Sequence, residues 1–207
     1  MIEMGPYERH ILPRLIDLVM RNKEATRLRA SLVPKARGDV LEVGIGSGLN
    51  LPFYGAQVNR VFGVDPSHAL RRMVPHAANN NASLEIFTQP AEQELPLPDA
   101  SIDTAVMTWT LCSIPQPAQA LRQIRRVLKQ DGQFLFIEHG RSHDRNVEAW
   151  QDRLTPIWKR IAGGCHLNRK VDDLIATAGF RMTELNTFYI VGPRFVTYTY
   201  QGVAQPA

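Results

Sequence analysis

Hydrophobic residues along this chain fall alternately into short aliphatic runs and into longer segments with helical spacing. Five runs have the length and composition of buried parallel strands: 39–43, 60–65, 83–88, 101–108 and 134–139. Helical patterns are predicted over 49–54, 67–78, 116–129, 146–161 (with an interruption at Pro156) and 169–177. Strands that alternate with helices form parallel sheets covered on both faces. The pattern therefore predicts a doubly wound α/β domain.

The two ends of the chain depart from this alternation. Residues 6–32 are predicted as one or two amphipathic helices that pack as an outer layer, with a flap that carries Tyr7 inward over a ligand as the alternative. Residues 180–190 and 194–201 are predicted as an antiparallel hairpin around Gly192-Pro193. We expect one domain with three parts: an N-terminal helical lid (1–37), a ligand-binding half (38–140), and a cap with the terminal hairpin (141–207).

The first strand ends in a glycine-rich turn in which Gly44, Gly46 and Gly48 occupy alternate positions. Glycine lets the backbone adopt positive φ and approach a ligand closely. A nicotinamide-dinucleotide fingerprint would need glycine or alanine where this chain has Leu49, so that cofactor is not expected. Asp65, at the end of the second strand, is placed to accept both hydroxyls of a ribose.

Composition and charge exclude several other classes of protein. The chain has 207 residues, of which 44% are hydrophobic and 21% charged, and a formal net charge of +4. It contains no apolar run of about eighteen residues and no evident signal peptide, so we expect a cytoplasmic protein without an integral membrane segment. The mild basic excess favours a solvated exterior over binding to RNA or to an anionic membrane, although peripheral membrane contact stays open. Cys112 and Cys165 have no partner at ligand spacing, which argues against a metal site.

An acid-x-Gly-x-Gly-x-Gly segment followed by a strand-end aspartate resembles the S-adenosylmethionine site of class I methyltransferases. The likeness covers residues 38 to about 180 and implies a seven-stranded, mostly parallel Rossmann-like sheet. Leu111-Cys112-Ser113, Glu138-His139 and Gly164-Cys165-x-Leu167-x-Arg169 are similar to the thiol S-methyltransferases and their soluble bacterial relatives, within the small-molecule branch. Gln130 and Asp131 replace the usual proline and glycine of that branch, which affects a turn and not the chemistry.

The resemblance implies that the chain binds S-adenosylmethionine and releases S-adenosylhomocysteine. Glu42 and the glycine loop would hold the methionine end, Asp65 the ribose, and Pro66 the adenine. Thr108 and Trp109 would border the sulfonium, with core packing an equal alternative for Trp109. The cofactor residues predicted in this way are Glu42, Gly44, Gly46, Gly48, Asn50, Leu51, Asp65, Pro66, Ala91, Glu92, Thr108 and Trp109.

The predicted reaction is methyl transfer to a small-molecule acceptor such as a thiol, with His139 and then His166 as candidate bases. Cys112 is expected to be a buried apolar residue rather than a nucleophile. Trp109, Trp150, Trp158 and Phe188 are expected to line the acceptor cleft, and residues 146–169, with a hinge at Gly163-Gly164, to set its specificity. The alternatives are a phospholipid or quinone-type methyltransferase, an RNA methyltransferase and a cofactor-binding domain without activity. No nucleic-acid partner is expected, and the chain is predicted to be a monomer or a homodimer.

Overall fold

A computed structural model describes residues 11–75 and 82–207, which form a seven-stranded sheet with helices on both faces. The predicted flap position of Tyr7 lies outside these residues. The sheet order is β3-β2-β1-β4-β5-β7-β6, and β7 is antiparallel to both neighbours. As predicted, the sheet is mostly parallel, with β1 to β5 parallel, and it ends in an antiparallel hairpin. The strands are β1 Gly38–Val43, β2 Val58–Val64, β3 Ser83–Phe87, β4 Ile102–Thr108, β5 Leu128–His139, β6 Phe180–Tyr189 and β7 Tyr198–Pro206.

Seven α-helices are described, and two of them precede the first strand. They are α1 Leu12–Met20, α2 Lys23–Leu32, α3 His68–Arg71, α4 Pro117–Val127, α5 Arg145–Ile161, α6 Val171–Thr177 and α7 Arg194–Thr197. Ser67 caps α3 as expected, since its hydroxyl accepts the Leu70 N–H, but the helix has only one turn. Pro75 disfavours helical backbone at the residue before it, which limits the helix on this side. The last part of the predicted helix, 76–78, lies outside the described residues. No helix in the described ranges is long and apolar enough to cross a membrane.

Three further local predictions were wrong. Residues 49–54 contain a 3-10 turn at Leu51–Phe53 in place of an α-helix. α5 continues through Pro156 without a break, because the rest of its backbone ladder and its buried face hold the segment helical. Residues 194–197 form the helical turn α7 rather than a strand, because Pro193 caps it and accepts hydrogen bonds from the Val196 N–H and the Thr197 hydroxyl.

The core consists of two apolar layers, one on each face of the sheet. Alternate residues of β5 point to opposite layers: Phe134 and Phe136 pack with α4 and α6, whereas Leu135 and Ile137 pack with α2. All four side chains are fully buried. Because both faces are covered, a ligand can reach the sheet only at its edges, and the carboxyl edge carries the glycine loop.

Candidate functional site

A cavity of about 370 Å³ opens at the carboxyl ends of β1, β2 and β4. This volume lies in the range usual for small-molecule sites. Two predicted cofactor residues, Gly48 and Leu51, are not among the described residues that line it. Gly48 faces away from the cavity, toward Val74, Pro75 and Leu51 itself. Ten of the predicted cofactor residues do line it: Glu42, Gly44, Gly46, Asn50, Asp65, Pro66, Ala91, Glu92, Thr108 and Trp109.

The glycine loop is held against the cavity by Asp65. One carboxylate oxygen of Asp65 accepts the Gly46 N–H at 3.0 Å, and the other accepts the Ser67 N–H at 2.8 Å. Gly44 has φ +73°, and a Cβ there would overlap the side chain of Thr110. Burial raises the pKa of Asp65, against the effect of these two hydrogen bonds. The loop and the acid therefore form one rigid wall of the site.

Glu42 is completely buried at the end of β1 and has two side-chain donors. Its carboxylate accepts the Tyr54 hydroxyl at 2.7 Å and the Asn50 amide at 3.0 Å. Burial nevertheless raises the pKa of Glu42 to about 7. The amide oxygen of Asn50 is buried without a hydrogen-bond partner. Two acceptors, one of them unpartnered, thus lie together at the cavity, where a bound ammonium group would satisfy both.

The helices before the sheet add a cation that the sequence pattern did not predict. Arg29 of α2 lines the cavity, is 4% exposed, and donates to the Met20 carbonyl at 2.8 Å. Its guanidinium lies 4.9 Å from the centre of the Trp109 ring, and its Nε atom has no partner. Burial lowers the pKa of Arg29 to about 10, so it stays charged at neutral pH. The site therefore offers a buried donor for an anionic group.

α1 contributes a second residue that was missed, Asp17. Its carboxylate accepts from Arg21 at 2.8 Å and from the Ser47 hydroxyl at 2.5 Å, which ties α1 to the glycine loop. The hydrogen bond from Arg21 lowers the pKa of Asp17. A lone acid on the apolar side of an amphipathic helix is the signal that could have identified it.

The chain leaves β4 in a strained conformation at Trp109. This residue has φ +51°, which is uncommon for a bulky side chain, and its N–H donates to the Ile137 carbonyl at 2.7 Å. The next two amides, of Thr110 and Leu111, both donate to one oxygen of Glu138, at 2.8 and 2.9 Å. The other oxygen of Glu138 is buried without a partner, and burial raises the pKa of Glu138 to about 8. Trp109 lines the cavity and also packs against a core layer, so its predicted place beside the sulfonium stays a prediction.

The two candidate bases lie behind the cavity. His139 is buried, with Nε2 3.0 Å from Cys165 Sγ, and Nδ1 of His166 lies 3.3 Å from the Cys112 carbonyl oxygen. Neither histidine is among the described residues that line the cavity, so a role as base stays a prediction. The Cys112 thiol is buried as expected, and its pKa is lowered, chiefly by a hydrogen bond from Cys165.

The aromatic lining predicted for the acceptor side is only partly present. Among the described residues that line the cavity, Trp109 is present, and the other three predicted aromatic residues are not. Trp150 is 56% exposed on α5, Trp158 donates its N–H to Cys165 Sγ at 3.2 Å, and Phe188 packs against a core layer. Aliphatic residues of α1 and of the loop after β4 take their place: Ile16, Met20, Ile114 and Pro115. Gly163 also reaches the cavity wall.

Comparisons with known sequences agree with this geometry. A methyltransferase-domain family model matches residues 41–136. Thiol S-methyltransferase TMT1B of Rattus norvegicus is 34% identical over 151 residues, covering 70% of this chain and 61% of the relative. Phosphatidylethanolamine N-methyltransferase of Cereibacter sphaeroides is 31% identical over 119 residues, covering 56% and 58%. The chain thus spans about three fifths of the length of these curated relatives.

Solved structures share the fold at low sequence identity. An S-adenosylmethionine-dependent methyltransferase from Aquifex aeolicus superposes with a TM-score of 0.62 at 19% identity, covering 94% of this chain and 98% of that one. The [4+2]-cyclase SpnF gives 0.63 at 17% identity, covering 88% and 80%. A cyclase on the same fold illustrates that the fold alone does not fix the reaction. Together, the domain match, the sequence relatives and the sheet topology show that the chain belongs to the class I S-adenosylmethionine-dependent methyltransferases.

Proposed function

We propose that this chain transfers the methyl group of S-adenosylmethionine to a small, partly apolar acceptor, with a thiol as the first candidate. The observation that carries the proposal is one cavity that combines Glu42, Asp65 and the glycine loop with an apolar wall. The cofactor supplies an electrophilic methyl group. The chain then has to hold it, align the acceptor and exclude water.

The unpartnered atoms of the cavity fit the amino-acid end of the cofactor. Asn50 Oδ1 and Glu42 can accept from an ammonium group, and Arg29 Nε can donate to a carboxylate. Asn50 Oδ1 and Arg29 Nε are buried without a partner, and an unmade hydrogen bond at such an atom costs about 1–3 kcal/mol. A ligand with both charges would satisfy all of them. Asp65, which accepts the Gly46 N–H of the glycine loop, would bind the ribose.

The acceptor side supports a small neutral or thiol substrate. Ile16, Met20 and Ile114 give this wall an aliphatic character, and Trp109 adds an aromatic face. A thiol needs little base assistance, because its pKa is near 8.5 and its sulfur is already a good nucleophile. This matches a site in which no predicted base reaches the described cavity wall. The likeness to thiol S-methyltransferase TMT1B supports the same choice.

A screen with radiolabelled S-adenosylmethionine tests the proposal. The acceptors are alkyl thiols, phenols, amines, phospholipid vesicles and RNA, and Asp65→Ala serves as the cofactor-site control. We expect the label to appear in a small apolar thiol and the transfer to be inhibited by S-adenosylhomocysteine. Asp65→Ala should lose most of the transfer activity. Transfer to RNA alone would overturn the small-molecule proposal. Tight binding of S-adenosylhomocysteine without transfer to any acceptor would favour a cofactor-binding domain.

A phospholipid is the second candidate acceptor. Leu15, Leu18 and Val19 of α1 are 45%, 68% and 63% exposed, on the helix whose Ile16 and Met20 line the cavity. An apolar surface beside the opening suits an acceptor that stays partly in a membrane. The relation to a phosphatidylethanolamine N-methyltransferase supports this alternative. Label in phosphatidylethanolamine vesicles, with none in soluble thiols, would select it.

A further inference from the structure

Behind the acceptor wall, three residues from separate parts of the chain bring metal-binding atoms together. They are Cys112 from the loop after β4, His139 from the end of β5, and Cys165 from the segment after α5. Their two sulfur atoms and one imidazole nitrogen all lie within 4.8 Å of one another. Cys165 Sγ and His139 Nε2 are 3.0 Å apart. This Cys-His-Cys cluster forms only through the tertiary fold, so sequence spacing gave no sign of it.

The separations fit a single ion. Bonds of about 2.3 Å to sulfur and about 2.0 Å to nitrogen place the ligand atoms of one tetrahedral or trigonal ion roughly 3.5 to 4 Å apart. The contact between Cys165 and His139 would open by only about half an ångström on binding. Two thiols and one imidazole are also the ligand set that thiophilic cations prefer.

The surroundings suit a bound ion in two respects. All three ligand residues are at least about nine-tenths buried, which would protect an ion from exchange with solvent. The indole N–H of Trp158 donates to Cys165 Sγ at 3.2 Å, an interaction that stabilises thiolate sulfur and orients it. Arg169 donates to the Leu111 carbonyl and lies 3.2 Å from His166, which places a cation outside the cluster and not among the ligands.

We propose that Cys112, His139 and Cys165 form a binding site for one thiophilic metal ion, of which Zn²⁺ is the reference case. Binding releases the two thiol protons to solvent, so two thiolates balance the charge of a divalent ion. The ion cross-links the loop after β4, the end of β5 and the segment after α5. Ser113 and Gly163 line the cavity beside Cys112 and Cys165, so the ion would fix the acceptor wall without taking a place in it. His139 would then be a ligand and not a base.

The test uses the full chain, reduced with a phosphine under nitrogen and freed of metal. Zn²⁺ and Co²⁺ are titrated into wild type, Cys112→Ser, Cys165→Ser and His139→Asn, with His68→Asn as the control for an exposed histidine. We expect one ion per chain and a metal affinity more than about 100-fold weaker in each ligand variant. This loss exceeds the roughly 10–100-fold that is typical when a residue that only hydrogen-bonds to a metal ligand is changed. The Co²⁺ form should show thiolate-to-metal charge-transfer absorption. Because the chain has only two cysteines, that band reports on this cluster alone.

Two further measurements keep the proposal falsifiable. Circular dichroism and affinity for S-adenosylhomocysteine establish that each variant is folded. His139→Cys retains a thiophilic ligand, so it should keep the charge-transfer band if His139 is a metal ligand. If His139 is instead a base, cysteine would not restore the pH profile of methyl transfer. The proposal is overturned if folded wild-type protein with two titratable thiols binds neither ion, or if the cysteine variants bind as tightly as His68→Asn does.

Discussion

Cofactor affinity should fall as the pH drops below about 7, because Glu42 must lose a proton to pair with an ammonium group. The pKa of Glu42 is raised to about 7 by burial in the cofactor-free protein. With that value the ionised fraction falls from roughly three quarters at pH 7.5 to about 3% at pH 5.5. If the bound form requires the carboxylate, affinity for S-adenosylhomocysteine should fall about 25-fold over this range, or about 2 kcal/mol.

Isothermal titration of S-adenosylhomocysteine at constant ionic strength measures this dependence. Glu42→Gln should bind more weakly at pH 7.5 and lose most of the slope, with any remainder assigned to Asp65, whose pKa is also raised. The contribution of Glu42 to folding stability changes with pH in the opposite direction to cofactor affinity. A carboxyl group with a raised folded-state pKa contributes stability below its unfolded pKa near 4.5 and loses it as the pH passes about 7, so Glu42→Gln should stabilise the cofactor-free protein at pH 8. A flat affinity profile for wild type, or the same slope in the variant, would refute the reasoning.

Three other substitutions test the cofactor acid, the glycine loop and the segment behind the acceptor side. By titration, Asp65→Ala should lose on the order of 3 kcal/mol of affinity for S-adenosylhomocysteine, whereas the exposed control Asp131→Ala should lose none. If the two variants bind with equal affinity, Asp65 is not part of the site. Gly44→Ala should lower the free energy of unfolding by about 2 kcal/mol in denaturant melts, since φ is +73° and a Cβ has no room, while Gly55→Ala, with open space, should be near neutral. Trp158→Ala should raise the acceptor KM or lower kcat and leave S-adenosylhomocysteine affinity within about a factor of two; a parallel loss of cofactor affinity in folded protein would contradict an acceptor-side role.

The glycine-loop side of the cavity could be predicted because its signals are local. Gly44, Gly46 and Asp65 lie at fixed distances from strand ends, and parallel strands bring those ends to one edge. The alternation of apolar runs and helical segments was likewise sufficient to predict a doubly wound, mostly parallel sheet with an antiparallel C-terminal hairpin, whereas the order of the strands comes from the structure. These features depend on periods of two and 3.6 residues, which a sequence displays directly.

The rest of the site depends on contacts between distant parts of the chain. Arg29 comes from a helix whose polar residues resemble those of any solvated helix, and only the packing of α2 turns this one toward Trp109. His139 was correctly placed at the end of a strand, but its neighbours come from two other segments, so its chemical surroundings had no sequence signature. Gly48 and Leu51 lie in the motif yet face the packing side of the loop, which the motif alone does not distinguish.

The position of β7 has a consequence for how the chain acquires its structure during synthesis. β6 leaves the ribosome before β7, yet it pairs with no other strand among the described residues, because β7 lies between it and β5. Until β7 arrives, β5 has an exposed edge and β6 has unpaired amides, both of which can recruit other chains. Strands β1 to β5 can form their pairs earlier. A nascent chain paused before Tyr198 should therefore already carry the glycine loop in place while remaining prone to aggregation at the far edge of the sheet.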